Sequence, residues 1–385
     1  MRIFRITIRV LLLVALVIGG VALWKREEIV RLWAVNSLFA PEKIVANFSG
    51  MDRLFLTRPL AIGAGPVSAL PPGPPIVLPP EVGAWVEARW VTGLVVLKGG
   101  QLAHESYYRG TRPEDLRISW SVAKSFLSAL FGILHAEGMV PDLEAQVVDF
   151  VPALKGSAYD GASVRDVLTM SSGVAFNEDY LDFNSDINRM GRVLALGGSM
   201  DGFAAGLKVR EAAPGTRWHY VSIDTHVLGM VIAGATGRDP ADLLAERVLV
   251  PLGLERAPYY VTDGGGTAFV LGGLNLTTRD YARFGLLFAQ GGRWGEAQLV
   301  PADWVTASTT LQAPGGAAYG YQWWVPADSA AHGGDYFARG IYGQYIYINP
   351  ARAVVVAVNA GDTRFEDPGV AEGDLAMLRA IAEAL

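Results

Sequence analysis

The sequence contains no cysteine, which removes disulfides, thiolate metal sites, a cysteine nucleophile and a lipid-bearing N-terminal cysteine together. The redox compartment is left open. Basic charge is scarce too: 32 Lys and Arg stand against 38 Asp and Glu, a net charge of −6. No basic run exceeds a pair, so the clustered positive surface that a nucleic acid requires is missing. The five histidines (104, 135, 219, 226 and 332) lack the spacing of metal-ligand pairs. Of these, His219 stands beside a tyrosine, and His135 falls in a helical run where packing explains it. No HExxH, GxSxG or P-loop pattern occurs, and "DGGGTAF" (263–269) fails the dinucleotide pattern and follows no strand signal. Neither a metal nor a cofactor is expected.

Apolar residues are plentiful: 51% of 385 positions are hydrophobic, enough for a large core. Arg2, Arg5 and Arg9 precede the uninterrupted run "VLLLVALVIGGVALW" (10–24), which Lys25 and Arg26 close. Residues 1–26 therefore read as a membrane segment, either an uncleaved anchor or a signal peptide cleaved near Gly20 and Ala22. Arginines ahead of the run keep the N-terminus inside. The main domain is then expected on the extracytoplasmic (periplasmic) side, membrane-anchored, or secreted if the segment is cleaved. Residues 27–80 have weak periodicity and end in "LPPGPPIVLPPE", which reads as a proline-rich stalk or wrap ahead of a domain at 81–385.

Within that domain "TGLVVLKGGQLAHESYY" (92–108) alternates around Gly99 and Gly100, the pattern of a β-hairpin. "SWSVAKSFLSALFGILHAEG" (119–138) has helical spacing, with Ser119 as candidate N-cap and Gly138 past its end. Helical patterns and loops fill about 135–290. "GQYIYINPARAVVVAVNAG" (343–361) is a second hairpin turning at Asn349 and Pro350, and a last helix closes the chain. Strands early and late with helices between predict an α+β fold: an antiparallel sheet built from both chain ends, flanked by helices, plus an all-helical lobe.

The helix at 119 sets Lys124 one turn after Ser121 among apolar neighbours. Residues at i and i+3 share a helix face, so the two side chains can meet. A lysine at its ordinary pKa of about 10.4 is no base at pH 7. Desolvation lowers it, and the neutral amine can then take the serine proton and make Oγ a nucleophile. This SxxK occurs once in the chain. "RWHYVSIDTHVLG" supplies a proton shuttle in Tyr220, as part of Y-x-S with Ser222; Tyr347 and Asn349 form a competing Y-x-N, but in the middle of an alternating strand. "ARGIYGQ" (338–344) places glycines at 340 and 343, where a strand backbone can approach a ligand as an oxyanion hole requires.

SxxK, Y-x-S and a glycine-bearing strand, in this order, resemble the serine β-lactamase and penicillin-binding-protein superfamily over roughly residues 80–385. "SWSVAKSFLSAL", "VRDVLTMSSGV", "GGLNLTTRDYARFGLLF" and "GIYGQYIYINPAR" are most similar to its amide- and ester-hydrolysing branch, typified by 6-aminohexanoate-dimer hydrolase. The resemblance implies a β-lactamase/transpeptidase-like fold with the site between sandwich and helical lobe, and a small-molecule amide or ester substrate. It implies Ser121 as nucleophile, Lys124 as general base and Tyr220 as shuttle. Gly340 would stand for the glycine of K-T-G, and backbone N–H groups of Ser121 and Ile341 for the oxyanion hole. Ala338 occupies the place of the motif's lysine and Arg339 that of its threonine. Arg339 or His332, in "HGGD", stand as substitutes for the lost cation. From the loop 177–190, Tyr180, Asp182 and Asp186 are candidates to meet an amine-bearing substrate. A D-Ala-D-Ala carboxypeptidase or β-lactamase, and a non-catalytic sensor of the same fold, are the competing readings.

Overall fold

The computed structural model describes residues 2–385. A five-stranded antiparallel sheet runs in the order Gln101–Tyr107, Val91–Lys98, Val354–Ala360, Gln344–Asn349, Tyr336–Gly340. Both predicted hairpins are present. Gly99 and Gly100 take φ of 56° and 79°, the left-handed pair that a two-residue turn between twisted strands demands. Period-two alternation splits the strands between two cores. Val95, Leu97, Ile346, Ile348, Val355 and Ala357 join the large core on one face. Leu94, Val96, Tyr345, Tyr347, Val354 and Val356 face the other, against Trp85 and Val86 of helix Val82–Ala88 and Leu378 and Ile381 of helix Val370–Glu383.

The predicted helical stretch differs from expectation in two respects. Helices Val147–Phe150, Val164–Leu168, Asp186–Leu196, Met200–Gly206 and Ser222–Thr236 form the lobe. Past them, helix Thr278–Ala289 belongs to the sandwich: a Cβ on its Gly285 would touch Val355 and Ile346 at 2.5 and 2.7 Å, so glycine lets the helix lie close on the sheet. The interval also holds strands Tyr259–Val261 and Leu274–Leu276. These form a second sheet in the order Thr57–Pro59, Tyr259–Val261, Leu274–Leu276, Arg117–Ile118. Three residues are too few for a periodicity to register.

The segment before the domain wraps it. Leu38, Ile44, Phe48, Met51 and Leu60 are buried in the large core, and Thr57–Pro59 adds an edge strand. The buried Arg117 guanidinium donates to the Val45 carbonyl at 2.8 Å and to Ser49 Oγ. Even the proline-rich run is tied down, through Gly73 N–H to the Leu102 carbonyl and Leu102 N–H to the Pro71 carbonyl. The apolar residues here sit at irregular intervals because the segment meets its partners singly.

Ahead of the wrap stands an apolar helix, Arg2–Trp24, whose stretch Phe4–Trp24 has mean hydropathy 2.6 and no burial against the rest of the protein. It has the length and composition shared by signal sequences and signal anchors.

Candidate active site

Arg117–Ile118 pairs with Leu274–Leu276, and the Ser119 N–H donates to the Leu274 carbonyl. From this strand the chain enters a 3₁₀ turn, Trp120–Val122, that runs on into helix Ala123–Ala136. Ser119 is not the side-chain cap expected: its hydroxyl turns to the Gly272 carbonyl at 3.4 Å. Trp120 holds φ of +42°, a left-handed conformation uncommon for a bulky residue, immediately before Ser121. Every residue from Ala123 to Leu134 is buried, so the helix is a core helix all round.

That burial decides the state of Lys124. Its side chain is 1% exposed; Nζ lies 3.0 Å from Ser121 Oγ and donates to the Leu271 carbonyl at 2.9 Å. Desolvation brings the amine down to about 7, against the opposing charges of Glu178 and Asp224. Tyr220 comes from the chain just before helix Ser222–Thr236, and Lys124 Nζ sits 5.5 Å from its ring centre. Burial, then the charge of Glu178, push its phenol well above the ordinary value, while hydrogen bonding with Ser121 pulls the other way. The phenol therefore keeps its proton at neutral pH. The competing tyrosine, Tyr347, lies on the far sheet face and donates to Asp335 at 3.1 Å.

Gly340 ends strand Tyr336–Gly340 directly against the nucleophile turn. A Cβ there would stand 2.7 Å from the Ser119 carbonyl oxygen and 3.1 Å from the Ser121 nitrogen. This close approach brings Ile341 beside Ser121, and both border the same cleft. Ala338 points into the core at 1% exposure, so the position of the K-T-G lysine carries no charge. Arg339, with side chains alternating along the strand, lines the cleft with Ser121 and Tyr220. His332 does not: it faces Asp328 and Glu383 and borders a separate hollow with Asn349 and Arg379.

Of the loop candidates, Tyr180 borders the cleft, its hydroxyl donating to Glu178 at 2.8 Å. Asp182 and Asp186 turn back into the loop, accepting from Asn177, Asn184 and Arg189. The residue that sequence reasoning passed over is Glu178. Its carboxylate also accepts from the Ser222 N–H at 3.0 Å and from Ser222 Oγ, joining the loop to the helix start beside Tyr220. The one available signal was its position two before Tyr180 in a segment already singled out. Asp224 was missed as well; burial raises it to about 7 although Tyr159 and Ser172 each donate to it at 2.8 Å. An acidic residue in a helix's first turn is ordinary, so nothing marked it. Among the described residues no group of His, Asp and Glu could hold a metal ion.

Known proteins carry the same arrangement of chain. Residues 84–380 match the sequence family described as Beta-lactamase. A 6-aminohexanoate-dimer hydrolase of Paenarthrobacter ureafaciens is 29% identical over 295 residues, 72% of this chain and 74% of that one. A Bacillus anthracis protein provisionally named a 6-aminohexanoate-dimer hydrolase superposes with a TM-score of 0.78 at 22% identity, over 90% of this chain and 96% of the other. The octameric penicillin-binding protein homologue from Pyrococcus abyssi reaches 0.58 at 21% identity, over 77% and 75%.

Proposed function

Because this chain belongs to the β-lactamase family, we propose that it is a serine hydrolase of linear amides or esters working through an acyl-Ser121 intermediate. The observation that carries the reading is the buried Lys124 amine, lowered to about 7 and 3.0 Å from Ser121 Oγ. Neutral Lys124 takes the Oγ proton as Oγ bonds to the substrate carbonyl carbon. The oxyanion lies between the N–H groups of Ser121 and Ile341. On collapse the C–N or C–O bond breaks, Tyr220 gives its proton to the leaving atom, and the Lys124 ammonium reprotonates the phenol. Water then attacks the acyl carbon as its proton passes to Lys124, the C–Oγ bond breaks, and the Lys124 ammonium returns a proton to Oγ as the acid leaves.

A β-lactam or D-Ala-D-Ala substrate fits less well, since Ala338 leaves no ammonium for its carboxylate and the Arg339 guanidinium in the cleft already meets the charge of Glu366. Intact-mass analysis of the full chain after exposure to p-nitrophenyl esters and to benzylpenicillin tests the assignment. An acyl adduct on Ser121 is expected from the esters, none from the penicillin, and none in Ser121→Ala. A normal ester adduct in Ser121→Ala would remove Ser121 as nucleophile.

The segment 1–26 is proposed as an uncleaved anchor holding the domain on the extracytoplasmic face, with 27–80 as a wrap that completes it. In fractionated cells the full-length chain should stay with membranes through an alkaline carbonate wash. A soluble chain lacking about the first 20 residues would identify a cleaved signal peptide instead.

A further inference from the structure

Two cavities meet at Ser121, and their walls differ in chemistry. One is an apolar pocket of about 100 Å³, the scale of engineered cavities (about 150 Å³) that take up benzene. Val35, Leu38 and Phe39 of the wrap form one wall, facing Met190 and Leu194 of helix Asp186–Leu196. Among the described residues no charged side chain borders it. The other is an open cleft bordered by Tyr220, Arg339, Glu366 and Glu372. Ser121, Tyr180 and Ile341 border both; Tyr220 borders the cleft alone.

This asymmetry orients the substrate. The carbonyl carbon bonded to Oγ carries its oxygen toward the Ile341 turn, which leaves two substituents to place. The leaving atom must receive a proton from Tyr220, so the leaving group lies in the cleft. The acyl substituent is then directed to the other side of Ser121. We propose that the apolar pocket is the acyl site and takes the uncharged hydrocarbon chain of a medium-chain carboxylic ester or amide. The inference rests on the Ser121 and Tyr220 reading above. An acyl chain ending in an ammonium or carboxylate would bury that charge without a partner. The wrap thereby sets specificity: Phe39 stacks on Tyr342 at 4.6 Å and 18°, so the pocket wall and the turn carrying Ile341 pack as one unit.

The test is a series of p-nitrophenyl esters, from acetate through butyrate, hexanoate and octanoate, with 6-aminohexanoate as the charged counterpart. The enzyme is the full chain in phosphatidylcholine nanodiscs. kcat/KM should climb about fourfold per methylene until the pocket is filled, and the 6-aminohexanoate ester should fall at least about 50-fold below the hexanoate. Two substitutions on different elements shorten the pocket. Gly191→Leu adds a side chain where a Cβ meets no atom within 4 Å, and Val35→Phe narrows the opposite wall. Each should lower the octanoate-to-acetate ratio of kcat/KM at least about tenfold. A series flat in chain length, equal rates for hexanoate and 6-aminohexanoate, or an unchanged ratio in both variants would overturn the acyl site while Ser121-dependent hydrolysis survives. Absence of Ser121-dependent hydrolysis of every ester would instead bring down the nucleophile assignment, and the acyl site with it.

Discussion

Lys124→Met should abolish hydrolysis and make the protein more stable. Removing the proposed base should cost at least about 1,000-fold in kcat/KM, the upper part of the range for a general base. The stability gain follows from linkage. The amine's pKa is lowered from 10.5 unfolded to about 7 folded, so between these values the unfolded chain binds a proton that the folded one does not. Wild-type stability therefore rises with pH across about 7 to 10.5, and below 7 the folded state carries the full cost of a buried cation. Methionine fills a similar volume with no charge to bury. Tm should rise by a few degrees at pH 6, less the loss from leaving the Leu271 carbonyl without its donor. The gain should shrink toward pH 10. If the same amine is the base, as proposed, wild-type kcat/KM should rise tenfold per pH unit below about 7 and then level off. No decline should follow to pH 9, because Tyr220 keeps its proton there. Substantial activity in Lys124→Met, or a lower Tm at pH 6, would make the lysine a structural cation.

Gly340→Ala should lower kcat about 100- to 1,000-fold with little change in KM. The added methyl would meet the Ser119 carbonyl oxygen at 2.7 Å, the Ser121 nitrogen at 3.1 Å and Trp120 Cβ at 3.1 Å. None of these is the end of a flexible side chain, so strand and nucleophile turn must part. In the proposed oxyanion hole their separation sets how far apart the Ser121 and Ile341 N–H groups stand, and widening it would weaken the stabilisation of charge that develops in the transition state. Gly340 has no positive φ, so alanine brings no backbone strain of its own, and circular dichroism should show the fold retained. A folded Gly340→Ala enzyme with wild-type kcat would take Ile341 out of the oxyanion hole.

Elements whose partners are near in sequence were legible. Both hairpins stand where alternation and turn residues put them, and the helix Ala123–Ala136 lies where three- and four-residue spacing predicts. Ser121 and Lys124 meet because one turn of helix brings them together. Parts of the site whose partners are distant were not legible. Ser119 has the right residue type for an N-cap, but a carbonyl of Gly272 claims its hydroxyl. His332 and Arg339 were equal substitutes on paper; the strand's alternation brings Arg339 to the cleft, and a turn carries His332 away. Glu178 accepts its hydrogen bonds from Ser222, 44 positions later.

The sequence by itself determined the order of elements, the SxxK pair and the family, because helix and strand periodicities and i, i+3 neighbours are local properties of a chain. Tertiary structure alone decided how far burial lowers the Lys124 amine, how near the Tyr220 ring stands to it and what closes the pocket. Desolvation depends on what surrounds an atom on every side. Around Lys124 those surroundings include the Leu271 carbonyl, 147 residues away, and the Tyr220 ring; around the pocket beside it they include a wrap that the sequence leaves without a pattern.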